Sequence, residues 1–262
     1  GVIDTAFDPV LAGGTLGVKD LVLIGTTLYV GGDFNTVNGT TRPKVAAINT
    51  TNGELVTAFN AGLTESDRVD ALDKSADDAT LYAGGVFTSI GGQSRNYIAS
   101  LSPSTGNANT WNPNANSSVY ELRVSGTTVY AGGAFTTIGG QSRASLAALG
   151  SAGNASAWNT NASGASISSI RVSGSTIYVG GTFSSLGGQS RNNAGAVNDT
   201  NGNATSWNPN ADTTVSDIQI DGSQVYLGGS FTTIGGASRP GLALVDDTNG
   251  TLDTGFNASA SA

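Results

Sequence analysis

A four-residue phrase, Gly-Gly-x-Phe, recurs five times along the chain at a nearly fixed spacing. Successive copies are 53, 48, 48 and 48 residues apart, with the phenylalanine at Phe34, Phe87, Phe135, Phe183 and Phe231. A period of this length and regularity indicates one supersecondary unit that is repeated and stacked. The sequence therefore predicts a single repeat domain over residues 1–262.

Each repeat is predicted to contain four short strands, as in the third copy. Residues 119–124, 128–135, 146–149 and 155–158 have strand-like composition and are separated by turn signals such as Ser-Gly and Gly-Gly-Gln-Ser. Four strands in about 48 residues are typical of a propeller blade, so we expect an all-β, five-bladed β-propeller. A β-solenoid usually has shorter coils, and sandwich domains need about 100 residues each.

A second landmark is an aromatic residue followed by Asn or Asp, and its six copies frame the five repeats. They are Phe7, Phe59, Trp111, Trp158, Trp207 and Phe256. The chain thus carries a duplicated terminal strand, at residues 1–9 and 250–258, of which a closed five-blade ring needs only one. The spare copy could lie against a blade edge, join further blades, or add to a neighbouring subunit in head-to-tail self-association. Blade number is inferred from repeat count, and a closed ring could recruit a partner chain.

The third copy, Val-Tyr-Ala-Gly-Gly-Ala-Phe-Thr-Thr-Ile-Gly-Gly-Gln at residues 129–141, resembles the repeats of secreted bacterial β-propellers. It is also similar to fungal cortical polarity-marker and kelch-like propellers. The resemblance implies an extracellular or cell-surface location, adhesion or interaction with surface proteins or glycans, and no shared reaction. Copies one and two depart from it, being longer around residues 12–17 and 65–78. These divergent loops give the alternative function, a carbohydrate-binding module.

An arginine stands eight residues after each Gly-Gly-x-Phe phenylalanine. These five, out of eight arginines in the chain, are Arg42, Arg95, Arg143, Arg191 and Arg239. An asymmetric ligand site would not need five copies. A structural role is therefore predicted, in which the guanidinium pins a loop or pairs with a carboxylate.

Acidic residues on the predicted first strands form the candidate site. Asp20, Asp70, Glu121 and Asp217 are taken to occupy matching positions, with Ser169 in the remaining copy. First strands usually line the channel of a propeller, where like charges repel unless they are compensated. Two interpretations are open: an arginine–acid brace in each blade, or a ring that binds a cation such as calcium. Arg191 without an acid partner argues against a strict brace.

The landmark aromatics admit two interpretations, since a tryptophan row can stack sugars. Recurrence in every repeat favours core packing. Nine Asn-x-Ser/Thr triplets also mark the chain as an acceptor for N-glycosylation: Asn38, Asn49, Asn116, Asn154, Asn161, Asn198, Asn203, Asn249 and Asn257.

Composition excludes several classes of function. A net charge of −8 makes nucleic acid a poor partner, and no apolar run is long enough to insert in a membrane. The absence of His and Cys rules out a Ser-His-Asp triad, thiolate chemistry and zinc-cysteine sites. A glycosidase-like carboxylate pair is the remaining catalytic route. We therefore expect a non-catalytic structural or adhesive interaction module without a cofactor.

Overall fold

The computed structural model describes residues 6–15 and 17–256, and within them the chain is all-β. No helix in this part of the chain is long and apolar enough to cross a membrane. The strands of the described residues are β1 (Leu11–Ala12), β2 (Val18–Ile24), β3 (Thr27–Gly32), β4 (Thr36–Val37), β5 (Thr40–Thr41), β6 (Val45–Asn49), β7 (Arg68–Lys74), β8 (Leu81–Val86), β9 (Ser89–Ile90), β10 (Gln93–Ser94), β11 (Ile98–Leu101), β12 (Val119–Ser125), β13 (Thr128–Gly133), β14 (Thr137–Ile138), β15 (Gln141–Ser142), β16 (Leu146–Leu149), β17 (Ser163–Ser173), β18 (Thr176–Leu186), β19 (Gln189–Ser190), β20 (Ala194–Asn198), β21 (Val215–Asp221), β22 (Gln224–Gly229), β23 (Thr233–Ile234), β24 (Ala237–Ser238) and β25 (Leu242–Asp246).

Each repeat folds into one antiparallel sheet whose three long strands follow one another in space as in sequence. The five sheets are β2-β3-β6, β7-β8-β11, β12-β13-β16, β17-β18-β20 and β21-β22-β25. Strands such as β16 are buried along their whole length. They are apolar at successive positions because both faces of the sheet pack against neighbouring sheets.

The predicted fourth strand is reduced to one bridge in each repeat. In the third repeat Ala155 pairs with Leu149, and corresponding bridges occur in the other four. Beyond this bridge the carbonyls of Ser156 and Trp158 accept hydrogen bonds from Arg143. Arg143 thus bonds to two carbonyl oxygens that a longer fourth strand would need for pairing with the third strand.

The Gly-Gly-Gln-Ser segments form tight hairpins and not open loops. In the third repeat β14 and β15 pair across Gly139 and Gly140, whose φ angles are +61° and +75°. Two successive positive φ angles define the two-residue turn that matches strand twist, which explains the glycine pair.

The sheets pack face to face in chain order, each against the next, and their first strands contact one another. The charge of Arg123 in the third sheet acts to lower the pKa of Asp20 in the first sheet. The two side chains are therefore near each other, and the first strands converge on a common channel. This is the arrangement of a β-propeller.

The expected closed five-bladed ring is not formed by the described residues. The first strand of the first sheet leaves Val18, Leu21 and Leu23 about half exposed, whereas the matching Val69 and Leu72 of the second sheet are buried. The five sheets therefore make an open arc, with one uncovered sheet face at each end.

The duplicated terminal strand falls partly outside the described residues, at 1–5 and 257–258. Of the described parts, residues 6–9 form no strand, and Leu252 makes a single bridge to Val245. Phe7 packs against the cluster of Val30 and Phe34 in the first sheet. The first copy of the aromatic landmark, Phe7, thus packs on the first sheet although residues 6–9 around it form no strand.

Candidate functional site

A β-bulge in every first strand decides which side chains point into the channel. In the first sheet the pairing passes from Val18 to Asp20, and in the second from Val69 to Ala71, with Asp70 in the bulge. The matching residues are Asp20, Ala71, Glu121, Ser169 and Asp217. The predicted equivalence of Asp70 with the other acids is therefore wrong by one residue, because the sequence does not reveal where the bulge falls.

Two of the predicted acids are joined by one guanidinium. Arg171 donates from one nitrogen to Glu121, at 2.9 Å, and from the other to Asp217, at 2.7 Å. Arg123 adds a second bond to Glu121, at 2.6 Å. The acids of the third and fifth sheets thus share arginines of the third and fourth.

Asp70 is neutralised separately, within its own strand. Arg68 holds both of its carboxylate oxygens, with the Nε bond at 2.6 Å and the Nη2 bond at 2.9 Å. Such a bidentate pair is geometrically specific. Among the described residues no group of three or more acidic side chains converges as a metal site would require. The cation-ring interpretation consequently finds no support in the geometry.

The remaining first-strand polar groups tie one sheet to the next through the backbone. Asp20 accepts a hydrogen bond from the backbone nitrogen of Leu72 in the second sheet, at 2.8 Å. Ser169 likewise accepts one from the backbone nitrogen of Ile218 in the fifth sheet, at 3.1 Å. In both cases the acceptor lies on one sheet and the donor on the sheet that follows it.

Burial dominates the acid–base properties of this cluster. It raises the pKa of Glu121 to about 7, although Arg123 and Arg171 act in the opposite direction. It also raises the pKa of Asp20, whose hydrogen bonds from Leu72 and Leu21 partly offset the effect. A buried acid beside the exposed carboxylate of Asp217 resembles a glycosidase pair in composition, but Arg171 is bonded to both.

The repeat arginines bond to main-chain carbonyls. Arg143 donates to Ser142, Ser156 and Trp158, so that its fork holds the loop that carries the landmark aromatic. Arg42, Arg95, Arg191 and Arg239 reach the equivalent loops of their own repeats. The ion pairs between described residues involve other cations: Lys44, Lys74, Arg68, Arg123 and Arg171. Among the described residues, the repeat arginines therefore do not form an arginine–acid brace in each blade. The arginines that bond to the acids lie on the first strands of the second, third and fourth sheets.

The landmark aromatics lie between sheets. Trp207 meets Tyr178 of its own repeat edge to face, with ring centroids 5.0 Å apart, and its indole nitrogen donates to the Asp246 carbonyl of the next sheet at 2.9 Å. Trp111 and Trp158 repeat this arrangement. All three tryptophans are buried, which favours the packing interpretation over a sugar platform.

A glycine pocket completes each internal interface. A Cβ added to Gly84 would lie 2.7 Å from a γ-methyl group of Val119 in the next sheet. The same relation holds for Gly31 with Val69, Gly132 with Ile167 and Gly180 with Val215. The first glycine of Gly-Gly-x-Phe is required because a branched side chain of the following sheet occupies its space.

The two end faces carry the unpaired halves of this interface. We call the exposed Val18, Leu21 and Leu23 the leading face; their exposed fractions are 46%, 53% and 52%. We call the outer side of the fifth sheet at Gly228, Asp217 and Tyr226 the trailing face. No atom of the described residues lies within 4 Å of a Cβ built on Gly228. Large exposed apolar side chains grouped on one face are the feature of this chain most typical of a binding surface.

Sequence reasoning missed one buried ion pair. Lys44 is 1% exposed, and its ammonium bonds to Asp33 at 2.7 Å and to Asn35 at 2.8 Å. The ammonium holds the pKa of Asp33 well below its usual range. The matching positions in the other repeats are Tyr97, Ser145, Asn193 and Gly241, so no periodic signal marks this lysine.

The divergent loop of the second repeat borders a groove of about 630 Å³. The turn at Ser75 and Asp77 forms one side of it, and Tyr82 and Trp111 contribute to its lining. Asp67, in the same divergent loop, accepts hydrogen bonds from the backbone nitrogen and the hydroxyl of Thr64 and so closes its own turn.

Comparisons with known proteins agree with this fold. The family model described as Domain of unknown function (DUF5122) beta-propeller matches residues 27–59 and 223–256, which lie in the first and fifth repeats and make up about a quarter of the chain. No curated protein matches the sequence.

Solved structures match over nearly the whole chain at low identity. The WD40 β-propeller domain of Doa1 is 13% identical, with 94% of this chain and 70% of that chain covered and a TM-score of 0.58. A chain of the Mitotic Checkpoint Complex is 12% identical, with 96% and 69% covered and a TM-score of 0.61. The computationally designed Ika8 protein is 12% identical, with 92% and 87% covered and a TM-score of 0.55. The chain therefore has a β-propeller fold, and its first and fifth repeats resemble the β-propeller family of unknown function.

Proposed function

We propose that this chain is a non-catalytic structural and adhesive interaction module of an extracellular or cell-surface assembly. The observation that carries the proposal is the leading face, where three large apolar side chains are about half exposed. The propeller fold itself suggests a protein-interaction module, since it offers a rigid scaffold with exposed faces and loops.

The chemistry of the channel supports a role without catalysis. Glu121 and Asp217 are both bonded to Arg171, and Asp70 is held by Arg68. These carboxylates present fewer free oxygen atoms to a substrate, because guanidinium nitrogens already bond to them. The charged residues near the channel thus contribute to packing between sheets.

An extracellular or surface location is supported by composition. Only 11% of residues are charged, and the sequence is rich in Gly, Ser, Thr, Asn and Ala. The resemblance of residues 129–141 to secreted propeller repeats points the same way. Surface proteins are the proposed partners, and the net charge of −8 makes nucleic acid a poor one.

The proposal is tested by displaying the 262-residue chain on the outer surface of carrier cells and measuring cell–cell clustering. Carriers with the chain should cluster, and carriers without it should not. Absence of clustering, together with a monomeric purified protein, would contradict an adhesive or structural role that acts through contacts between copies of the module. The readout does not depend on which surface of the module makes the contact.

A second candidate function is binding of carbohydrate. The observation in its favour is the groove beside Ser75 and Asp77, whose lining also includes Tyr82 and Trp111. Soluble glycans applied to the purified chain discriminate the two functions. Binding that Asp77→Ala weakens, without clustering of the display cells, would favour the carbohydrate-binding module.

A further inference from the structure

We propose that the trailing face of one copy of this chain binds the leading face of a second copy, in the geometry by which neighbouring sheets pack inside the chain. The inference rests on the proposed interaction function and names its partner. Both halves of the interface are present on one molecule, and the same interface is built four times between its five sheets.

The first argument is steric fit. At the four internal joints the space above a strand glycine is filled by a branched side chain of the next sheet, with distances of 2.7–3.0 Å from the built Cβ. Gly228 offers the same space, and within the described part of the chain no atom lies within 4 Å of its built Cβ. Val18 is the matching branched residue of the first sheet and is 46% exposed. Val18 of a second copy therefore fits over Gly228.

The second argument is a polar contact that accompanies this packing at two of the four internal joints, between the first and second sheets and between the fourth and fifth. Inside the chain, Asp20 receives the backbone N–H of Leu72, and Ser169 receives that of Ile218. Asp217 is the matching acceptor of the fifth sheet, and its side chain is 65% exposed. The matching donor is the backbone nitrogen of Leu21, on the leading face. In the single molecule this nitrogen donates a hydrogen bond to Asp20 of its own strand. The backbone nitrogen of Ile218 makes the same bond to Asp217 of its own strand and also donates to Ser169 of the preceding sheet, so one nitrogen makes both bonds.

The third argument concerns the landmark aromatics at the two ends. At an internal joint a single tryptophan, such as Trp207, contacts both sheets. At the chain's ends Phe256 packs against Tyr226, and Phe7 packs on the first sheet. A joint between two copies brings both phenylalanines to the place that one tryptophan fills inside the chain, so either Phe7 or Phe256 is displaced when the joint forms and the other takes the place of the tryptophan.

The proposed interface joins two different faces, so its symmetry is head-to-tail. Each copy in a pair keeps one unused face, and association continues until a ring closes or a chain of copies forms. This property separates the proposal from a two-fold dimer, which stops at two copies and buries the same patch on each.

The test uses Gly228→Val, because the added side chain meets empty space in the single molecule and a γ-methyl group in the joint. Masses are measured by analytical ultracentrifugation over a range of concentrations, with the melting temperature measured alongside. Wild type should exceed the monomer mass with rising concentration. Gly228→Val should remain monomeric and melt as wild type does at a dilution where both are monomers. The control Gly84→Val should lower the melting temperature, since its site is filled by Val119.

A mixing experiment tests the head-to-tail direction. Val18→Asp places a charge on the leading face and leaves the trailing face intact. Gly228→Val fills the space on the trailing face and leaves the leading face intact. Each variant alone should be monomeric. An equimolar mixture should form a dimer of twice the monomer mass and nothing larger, because the one good face of each variant is then used.

Three results would overturn the proposal. A wild type that is monomeric at every concentration excludes a second copy as the partner. A monomeric wild type whose melting temperature falls in Gly228→Val means that the chain covers its own trailing face. Oligomers that persist in both variants mean that copies join elsewhere. In this last case cell clustering would also persist, so the proposed function would stand while this inference falls.

Discussion

The buried ammonium of Lys44 makes the stability of the first sheet depend on one carboxylate. Asp33→Asn removes the charge that compensates it, and we expect the free energy of unfolding to fall by about 3 kcal/mol. Urea denaturation of the two proteins gives this difference. Asp78→Asn is the matched control, because the Lys74–Asp78 pair is more than one third exposed on each side and should contribute less than about 1 kcal/mol. Equal losses would show that burial of Lys44 is not what matters.

Glu121 gives the chain a pH dependence with an unusual sign. Its pKa is raised from 4.5 to about 7 in the folded protein, so between these values the folded state holds a proton that the unfolded state releases. The free energy of unfolding should therefore decrease as pH rises through this window, by at most about 3 kcal/mol. Urea denaturation at pH 5 and pH 8 measures the decrease. Glu121→Gln should reduce it, and an unchanged slope in this variant would contradict the assignment.

Only those residues of the candidate site that recur at matching positions of the repeats could be predicted from the sequence. The acids at Asp20, Glu121 and Asp217 were found because they recur on matching strands. Asp70 was placed one residue off because the bulge carries no signal of its own in the sequence. Sequence analysis does not find Arg68, Arg123 and Arg171, which bond to the acids. Arg123 and Arg171 share one repeat position, but the other repeats have Val22, Asp73 and Gln219 there, and Arg68 lies at a different position.

At the scale of a single element, the repeat arginine acts as a clamp on the loop that follows the third strand. Arg143→Lys replaces a planar fork by one ammonium, which cannot reach the carbonyls of Ser142, Ser156 and Trp158 together. We expect a loss of about 1–3 kcal/mol in the free energy of unfolding and a change in tryptophan fluorescence near Trp158. Arg239→Lys is the matched control, with bonds to Ser238 and Thr254 only, the latter at 3.4 Å. A larger loss in the control would contradict the clamp.

The landmark tryptophan is held by ring packing and by one hydrogen bond from its indole nitrogen. The first repeat has a phenylalanine at this position, which keeps the ring packing and has no indole nitrogen. This residue is Phe59, buried against Tyr29 with ring centroids 5.2 Å apart. Trp158→Phe should therefore keep the packing, lose the bond to the Asn198 carbonyl and cost about 1 kcal/mol. Trp158→Ala should cost about 3–5 kcal/mol, because it also leaves a cavity. Thermal denaturation of both variants measures the two costs. A similar loss in both would place the energy in the hydrogen bond.

The long strands could be predicted because each is a run of apolar or alternating residues between glycine turns. Residues 146–149 were predicted as a strand, and β16 has these bounds. The predicted fourth strand at residues 155–158 has the same strand-like composition but only one bridge, since its carbonyls bond to Arg143. Competition between a side chain and a neighbouring strand for the same carbonyl depends on three-dimensional contacts, and local composition does not report it.

At the scale of the whole molecule, repetition predicts how many sheets form and leaves open whether they close. Closure depends on a small rotation between neighbouring sheets that accumulates around the array, and each repeat encodes the same local contact whether or not the last sheet meets the first. Gly228 and Val18 match their counterparts in the other repeats in residue type. Their exposure is therefore a property of the assembled arc, and no inspection of one repeat reveals it.

An open arc predicts a gradient of stability along the chain. The first and fifth sheets pack against a neighbour on one side only, whereas the third sheet is covered on both, so local opening should cost least at the ends. Hydrogen exchange followed by mass spectrometry should show faster exchange in β2 and β22 than in β12 and β13. The Gly228→Val variant at low concentration is the appropriate sample, because association would cover the end faces. Equal protection in all five sheets would mean that the ring is closed in solution, and slow exchange at one end alone would mean that another segment covers that face.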